Sequence, residues 1–184
     1  MDVLGRYRID LKNMRTDTET FQFRLDDTFF EAVKGTLFRK GNVDVSLRVS
    51  KMTGAFELSF RIKGNVTVPC DRCLDDMEQA IDAESVLMVK LGDDYADEGE
   101  LVIVPFEDGT LNVAWHIYEF IALEIPIKHV HEPGKCNVAM IEALQVHSAV
   151  ISGEDEEDGE ENAGREDKPI DPRWNELKKI LDNN

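Results

Sequence analysis

The sequence predicts an α+β fold: an antiparallel β-sheet, open or curled into a barrel-like form, packed against one main helix and followed by a short C-terminal helix. Three observations support this prediction. Apolar and polar residues alternate through most of the N-terminal half, a helical pattern follows near the middle, and a second helical pattern closes the chain. Alternation with period two is typical of antiparallel strands with one solvated face, whereas apolar residues three or four apart indicate a helix.

Four segments of the N-terminal half predict strands: GRYRIDL, TETFQFRL, NVDVSLRVSK and AFELSFRIKG, with a hairpin connection between the last two. The residues predicted to face the core on these strands are Tyr7, Ile9, Leu11, Phe21, Phe23, Leu25, Val43, Val45, Leu47, Val49, Phe56, Leu58, Phe60 and Ile62. Between the second and third segments, DDTFFEAVKG predicts a short helix that ends at Gly35. Residues 76–91 combine helical and extended spacings, with a strand favoured from Glu84 onward, and LVIVPF predicts a short apolar strand.

The strongest helical pattern covers residues 112–123, where apolar side chains recur at helical intervals and Pro126 follows as a terminator. A second helix is predicted near the C-terminus, with Asp171 as its cap and Pro172 at the first helical position. Its apolar stripe consists of Trp174, Leu177, Ile180 and Leu181. A short amphipathic helix of this kind needs a groove to dock into, either on its own domain or on a partner.

The acidic segment GEDEEDGEENAGRED separates the two helical patterns. It contains nine acidic residues and one arginine, and it is too polar to form a core. We therefore predict three parts. Residues 1–150 form an α+β core domain that includes a Cys-x2-Cys turn, residues 151–168 form an acidic disordered tether, and residues 169–184 form the short amphipathic helix.

The formal net charge of −17 limits the classes of partner. Residues 151–168 account for −7 of this charge, which leaves −10 on the rest of the chain. Nucleic-acid binding gains most of its affinity from neutralising phosphates, so direct RNA contact is disfavoured and a protein partner with a basic surface fits better. The N-terminus lacks a secretory signal pattern and no apolar run is long enough to span a membrane. We expect a cytoplasmic protein without membrane contacts.

The segment VPCDRCL places Cys70 and Cys73 at a spacing that zinc sites, redox pairs and simple turns share. A zinc site would need two more ligands, and KHVHEPGKCN offers Cys136 together with His131 or His129. Both cysteines of the pair with His131 and Cys136 would make a Cys3His site. Neither His-x4-Cys nor His-x-His is a standard zinc pair, so the spacing supports only half of such a site.

Two other interpretations of the cysteine pair stay open. A thioredoxin-like redox motif would lie where a strand meets a helix in a βαβ unit, whereas the surrounding pattern is antiparallel. Alternatively, the pair is a corner between a strand and a turn with two small buried thiols. The sequence has no glycine-rich phosphate loop, no HExxH motif and no nucleophile with an identifiable base. Catalysis therefore has no specific support.

Three segments together resemble the YceD family, the large ribosomal RNA subunit accumulation proteins of bacteria and plastids. In chain order they are VTVPCDRCL, VPFEDGTLNVAWHIYEFIALEIPIKHVH and DPRWNELKKI. The resemblance covers most of the chain in motif order. Its most specific parts are residues 70–74, residues 123–126, and Asp171-Pro172-Arg173 with Leu177 after it.

By position, Cys70 and Cys73 match the cysteine pair of the family, and Cys136 matches a cysteine that often follows the helix and its proline. The chain departs from the family where many relatives have a further Cys-x2-Cys-Gly-like turn before the terminal Asp-Pro-Arg. Here that stretch is the acidic run, which contains no cysteine. A complete zinc site would therefore need His129 or His131 as a substitute ligand.

The resemblance implies a cytoplasmic, non-catalytic factor that supports the accumulation of large-subunit (23S) ribosomal RNA. Its partners would be ribosomal proteins or assembly factors of the large subunit. The family is also described as metal-binding and nucleic-acid-binding, which keeps zinc as a candidate cofactor. The residues predicted to contact a partner are Asp171, Pro172, Arg173, Trp174, Leu177, Ile180 and Leu181.

Two alternative functions follow from the same features. A zinc-binding, RNA-binding module would gather basic side chains on one face of the sheet. The candidates for such a face are Arg6, Arg8, Arg39, Lys40, Arg48, Arg61, Lys63 and Arg72. A metal-dependent enzyme, which has less support, would need an open coordination position beside a carboxylate that activates water.

Overall fold

The computed structural model describes residues 2–147. The chain divides into two units, Met1–Ser148 and Ala149–Asn184, and every element below belongs to the first. The acidic tether predicted over residues 151–168 and the helix predicted over residues 169–184 lie outside the described residues. The same is true of the seven C-terminal residues that the sequence predicts to contact a partner.

The described residues form an α+β fold with a large sheet, a two-stranded ribbon and three α-helices, and a 3-10 helix, Val3–Tyr7, precedes the first strand. The ribbon pairs β1 (Arg8–Asp10) with β8 (Thr110–Asn112). The large sheet contains β2 (Thr18–Leu25), β3 (Lys40–Met52), β4 (Ala55–Pro69), β5 (Asp76–Gly92), β6 (Ala96–Asp97) and β7 (Leu101–Pro105). The helices are α1 (Asp27–Val33), α2 (Ala114–Glu124) and α3 (Val138–His147). The predicted fold class is confirmed.

The large sheet is antiparallel at every pair except one. Its strand order is β2-β3-β4-β5-β7-β6, and β5 and β7 run parallel. The sequence pattern predicts only antiparallel pairing, so the parallel pair is a departure from it. In the described part of the chain, β2 and β6 are the two edges of this sheet. The sheet is therefore open and does not close into a barrel.

The residues that face the core on the inner side of the sheet are those that the alternation of apolar and polar residues predicts. Every residue predicted to face the core is buried except Phe21 and Phe23, which are half-buried and pack against the core. The hairpin between β3 and β4 turns at Thr53 and Gly54. Gly54 has φ of 79°, a left-handed conformation that glycine adopts without strain in a two-residue hairpin loop. The predicted hairpin is confirmed.

The segment with mixed spacings is one long strand. β5 pairs with β4 through residues 76–89, so the part before Glu84, which the sequence leaves ambiguous, is extended as well. Ile81 and Ala83 are buried while Glu78 and Asp82 are exposed, which is the alternation of a strand. Continuous pairing with β4 decides the conformation, because the local spacing alone fits both a helix and a strand.

Helix α1 forms where the sequence predicts it but ends differently. The Asp26 side chain accepts the N–H of Phe29 at 3.2 Å and caps the helix. The left-handed residue that ends the helix is Lys34, with φ of 58°, and not Gly35 as predicted. Gly35 is needed for packing instead, because a Cβ atom there would lie 1.9 Å from the ring of Tyr118.

Helix α2 packs on the inner face of the large sheet. Ile117 and Ile121 are fully buried, and the Phe120 ring lies 5.1 Å from that of Phe60 on β4. The helix covers Ala114–Glu124 where the sequence predicts 112–123, because Asn112 is the last residue of β8 and its side chain accepts the N–H of Ala114. None of the described helices is both long and apolar enough to cross a membrane.

Candidate metal centre

The Cys-x2-Cys motif forms the turn between β4 and β5. Inside the turn, the Cys70 N–H donates to the carbonyl oxygen of Asp75 and the Leu74 N–H donates to that of Cys70, both at 2.9 Å. Leu74 has φ of 62°, a conformation that costs a non-glycine residue energy. These bonds direct both thiols inward, where Cys70 and Cys73 are almost fully buried.

The segment after α2 runs back to this turn, and we call residues 125–136 the return loop. One of its contacts with the turn is made by Asp71 and His129. The Asp71 N–H donates to the His129 carbonyl oxygen at 2.9 Å, and the His129 N–H donates to Asp71 Oδ2 at 2.8 Å. The return loop therefore lies against the Cys-x2-Cys turn through a reciprocal pair of hydrogen bonds.

The return loop brings two further donors beside the cysteine pair. His131 Nδ1 lies 3.3 Å from Cys73 Sγ, and Cys136 Sγ lies 4.0 Å from Cys70 Sγ. One donor atom from each of the four side chains lies within 4.8 Å of the other three. This is the Cys3His set that the sequence offers, and the four side chains together could hold a metal ion.

The donor set and its spacing fit zinc. A tetrahedral zinc ion with about 2.3 Å to sulfur and about 2.0 Å to nitrogen separates its ligand atoms by about 3.5 to 3.8 Å. Two of the six distances between donor atoms, 3.3 Å for His131–Cys73 and 4.0 Å for Cys136–Cys70, lie on either side of that range. Three soft thiolates with one imidazole are donors that zinc accepts in closed structural sites.

The hydrogen bonds around Cys70 favour its thiolate form. Burial is the largest single effect and opposes ionisation, but the N–H groups of Cys73, His131 and Arg72 together outweigh it. They lower the pKa of Cys70 to about 6. The N–H donors of Arg72 and His131 lie 3.4 and 3.5 Å from Cys70 Sγ. A thiolate is the form of cysteine that binds metal, so the local backbone prepares this ligand.

Cys70 raises the pKa of both donors on the return loop. Its hydrogen bond to His131 is the largest effect on that imidazole and raises the His131 pKa. Burial and the negative neighbours Cys70 and Cys73 raise the pKa of Cys136 to about 11. A cation among these donors would relieve the repulsion between thiolates, because it stabilises the deprotonated form of each.

His129, the other histidine that the sequence offers as a ligand, lies outside this four-residue group. Its Nδ1 is 3.0 Å from the carbonyl oxygen of Pro126, and its Nε2 is 3.6 Å from Asp71 Oδ1. The two histidines therefore take different positions: His131 turns its ring toward the thiols, whereas His129 contacts the return loop and the turn.

The surroundings of the cysteine pair bear on the other two interpretations. The pair connects two antiparallel strands and is not followed by a helix, so it lacks the setting of a thioredoxin-like motif. It does form a corner with buried thiols, but that interpretation does not account for the convergence of His131 and Cys136 on it.

Three polar residues that position the site were not singled out from the sequence. Asp71 holds the return loop, and Asp75 accepts a hydrogen bond from the Asn137 side chain at 3.1 Å. Asn137 also directly precedes α3, and its carbonyl oxygen accepts the N–H of Ile141 in the first turn of that helix at 3.0 Å. Their position within two residues of Cys70, Cys73 and Cys136 was the available signal, since residues near ligands often orient them.

Comparison with protein families gives a match that includes the candidate site. The family model described as "Large ribosomal RNA subunit accumulation protein YceD" matches residues 58–181, which is more than half of the chain. That range contains the cysteine pair, helix α2 and the return loop. Comparison with curated proteins and with solved structures gives no significant match.

Proposed function

The chain belongs to the YceD family, and on that premise we propose that it supports accumulation of large-subunit (23S) ribosomal RNA as a non-catalytic assembly factor. The observation that carries the proposal is the family match over residues 58–181. In this proposal the chain acts in the cytoplasm through contacts with ribosomal proteins or assembly factors. The net charge of −17 supports a basic protein or ribonucleoprotein as the partner.

Zinc is the proposed resident metal, held by Cys70, Cys73, His131 and Cys136. It would supply a structural cross-link between the turn that joins β4 to β5 and the return loop. The loop leads directly into α3, which is mostly exposed. A zinc ion bound to His131 and Cys136 would therefore fix the point where α3 begins, and with it the surface that this helix offers to a partner.

The same site supports a structural role over a catalytic one. Four protein donors complete the tetrahedral coordination of zinc, whereas catalytic zinc keeps a position for water or substrate. The carboxylates nearest in sequence are already engaged: Asp71 accepts the His129 N–H, Asp75 accepts from Asn137, and Glu132 pairs with Lys135 at 2.7 Å. None of the three is placed as a free base that could activate water.

The outer face of the sheet favours a protein partner over RNA. Opposite charges alternate across its strands, in a row of exposed residues formed by Arg24, Asp44, Lys63 and Asp82. Arg61 on the same face pairs with Asp82 at 3.1 Å, and Lys63 pairs with it at 3.3 Å. Because these cations have acidic neighbours, they do not form the uniform positive surface that phosphates require.

The C-terminal sequence adds a second proposed contact. The stripe of Trp174, Leu177, Ile180 and Leu181 follows the acidic run, so charge and an apolar face occur together in one segment. In this proposal the acidic run attracts a basic partner and the stripe inserts into a groove on that partner. Asp171, Pro172 and Arg173 precede the stripe.

Sedimentation tests the proposed function. Lysate from cells with a tagged chain is separated on sucrose gradients at low and at high salt, and the chain is followed by immunoblot. We expect it with immature large-subunit particles at low salt, with partial loss at high salt because exposed ion pairs are screened. A chain truncated after residue 150 should sediment less with these particles. Full-length chain that stays at the top of every gradient would contradict the proposal.

A further inference from the structure

One side of strand β5 is open over much of its length. One edge of β5 pairs with β4 through residues 76–89. The other edge, which we call the second side, pairs with β7 only through residues 88–92. Among the residues that the structure describes, no strand and no backbone–backbone hydrogen bond occupies the second side from residue 78 to residue 86. An open strand edge can accept a further strand from another molecule.

The backbone groups on this open side belong to the even-numbered residues. The Met88 N–H donates to the Glu100 carbonyl oxygen, on the side where β7 lies, at 2.8 Å. β5 pairs with β4 without a bulge, and successive residues of a strand direct their backbone groups to opposite sides. The residues that direct N–H and C=O groups to the open side are therefore Glu78, Ala80, Asp82, Glu84 and Val86.

A groove lies along the same side, between β5 and α2. Its volume is about 600 Å³, and its apolar lining comes from Val86 on β5 and from Phe120, Ala122 and Leu123 on α2. Leu123 is 82% exposed, so its side chain is available to an occupant of the groove. Glu100, which directly precedes β7, also lines the groove. The groove therefore continues the path that β7 follows beside residues 88–92.

The charges of the groove are acidic. Glu100 and Glu119 are the titratable residues of its lining, and neither pairs with a lysine or arginine among residues 2–147. Glu119 accepts the indole N–H of Trp115 at 2.7 Å, which holds its carboxylate in place. Lysine and arginine side chains have an apolar stem and a positively charged end, so a bound segment that contains them would match both the apolar and the acidic parts of this lining.

The edge itself selects against a second copy of the chain. Asp82 and Glu84 are ion-paired with Arg61 and Lys63 of β4, whereas Glu78 has no ion-pair partner among residues 2–147. Two copies paired through β5 would bring the unpaired Glu78 carboxylate of each copy close to the acidic edge of the other. Like charges across paired strands are destabilising, whereas opposite charges are stabilising. A basic strand would therefore pair with this edge better than the chain would pair with itself.

We propose that the open edge of β5 binds an extended basic peptide segment of a partner protein, which joins the sheet as an additional strand. The inference rests on the proposed function, because it specifies how the basic partner of that function is held. Main-chain hydrogen bonds from residues 78–86 give affinity. Lysine or arginine side chains of the peptide lay their stems on Phe120 and Leu123 and place their charges near Glu100 and Glu119.

Synthetic peptides test this inference with the purified full-length chain. The probe is a peptide matched in length to residues 78–86 that alternates lysine with valine. Its first control has the same side chains but N-methyl groups on alternate backbone nitrogens, and its second control replaces lysine with glutamate. Fluorescence anisotropy should show about tenfold weaker binding of the N-methylated peptide, because several main-chain hydrogen bonds are lost. The glutamate peptide should not bind.

Two variants of the chain locate the binding site. Ala80→Pro removes an edge N–H that does not bond to β4, and Ala80→Ser is its matched control because it keeps the N–H. Glu100→Gln removes a groove charge and leaves the sheet untouched, so it serves even if the proline variant fails to fold. We expect weaker binding to Ala80→Pro and Glu100→Gln, about fivefold for the lost charge, and unchanged binding to Ala80→Ser.

Several results would overturn the inference. Equal affinity for the lysine peptide and its N-methylated form would show that charge alone drives binding. Dimerisation of the chain without peptide, inhibited by Ala80→Pro, would show that a second copy occupies the edge. Failure of the peptide to bind while the chain still sediments with immature large-subunit particles would refute the β5 edge and leave the proposed function intact.

Discussion

The peptide N–H of Asp71 donates to the carbonyl oxygen of His129 at 2.9 Å, and the N–H of His129 donates back to the Asp71 carboxylate at 2.8 Å. This reciprocal pair joins the Cys-x2-Cys turn to the return loop, although neither residue is among the four donors. Cys73 follows Asp71 by two residues, and His131 follows His129 by two. The hydrogen-bond pair therefore sets the distance between Cys73 in the turn and His131 in the return loop.

Replacing Asp71 should weaken zinc binding without removing a ligand. Asp71→Ala deletes the acceptor for the His129 N–H and loosens the return loop, so we expect zinc affinity to fall by about tenfold, as for other residues that orient ligands. The measurement is competition with a chromophoric chelator. Asp71→Asn keeps an acceptor oxygen and should retain most of the affinity. Equal affinities for the wild type and the alanine variant would show that the hydrogen-bond pair does not position the ligands.

The four donors should differ from His129 in their effect on metal content. Protein purified without chelator should contain about one zinc per chain, which elemental analysis by mass spectrometry measures directly. Cys73→Ser, Cys136→Ser and His131→Ala should each lose most of this zinc, because each removes one of four ligands. His129→Ala is the matched control and should keep it. Zinc retained by His131→Ala but lost from His129→Ala would exchange the roles of the two histidines.

Asp26 should make the stability of α1 depend on pH in the acid range. The hydrogen bond from the Thr28 side chain, followed by weaker effects that include the Phe29 N–H, lowers the Asp26 pKa below its usual value of 3.8. A lowered pKa in the folded state gives stability that is present above pH 3.8 and is lost as the pH falls through the folded-state pKa.

We therefore expect Asp26→Asn to lose, at neutral pH, the part of the stability that the charged carboxylate contributes, and to reduce the acid dependence of unfolding by the same amount. Asp26→Ala should cost about 1 kcal/mol at neutral pH. Urea unfolding at several pH values measures both effects. The wild type and Asp26→Asn should converge at the lowest pH. Curves that stay parallel down to the lowest pH would show that this carboxyl does not contribute to the acid dependence.

Gly35 should tolerate no side chain. Gly35→Ala would place a Cβ atom 1.9 Å from the Tyr118 ring, whose hydroxyl accepts the N–H of Leu37 at 3.0 Å. The ring must then shift and lose that bond, so we expect a destabilisation of about 1–3 kcal/mol. Lys34→Gly is the control at the neighbouring position. It should stabilise the fold, because glycine suits the left-handed conformation at position 34. Thermal unfolding compares the two, and a stable Gly35→Ala variant would contradict the packing account.

The strands were predictable because their side chains alternate and their partners lie nearby in sequence. β3 and β4 follow one another through a two-residue turn, so local pattern and final pairing agree. β5 is different: its first half is extended because β4 lies beside it, which its own spacing does not reveal. The parallel pairing of β5 with β7 depends on the path of the chain between these two strands. The alternation of side chains within a strand does not indicate the direction of its neighbour.

The residues that come together at the candidate site were offered by the sequence, but the geometry that brings them together was not. Cys70 and Cys73 are close in sequence, so a turn suffices to direct both thiols to one point. His131 and Cys136 reach that point only because α2 packs on the sheet and the return loop binds back to Asp71. The choice of His131 over His129 follows from that path, and the spacing of the two histidines does not distinguish them.

Support of large-subunit rRNA accumulation is tested most directly by the ratio of large-subunit to small-subunit rRNA in cells that lack this chain. We expect the ratio to fall, to be restored by the wild-type chain, and to stay low with a chain in which Cys70 and Cys73 are both replaced by serine. An unchanged ratio in cells without the chain would contradict the proposed function.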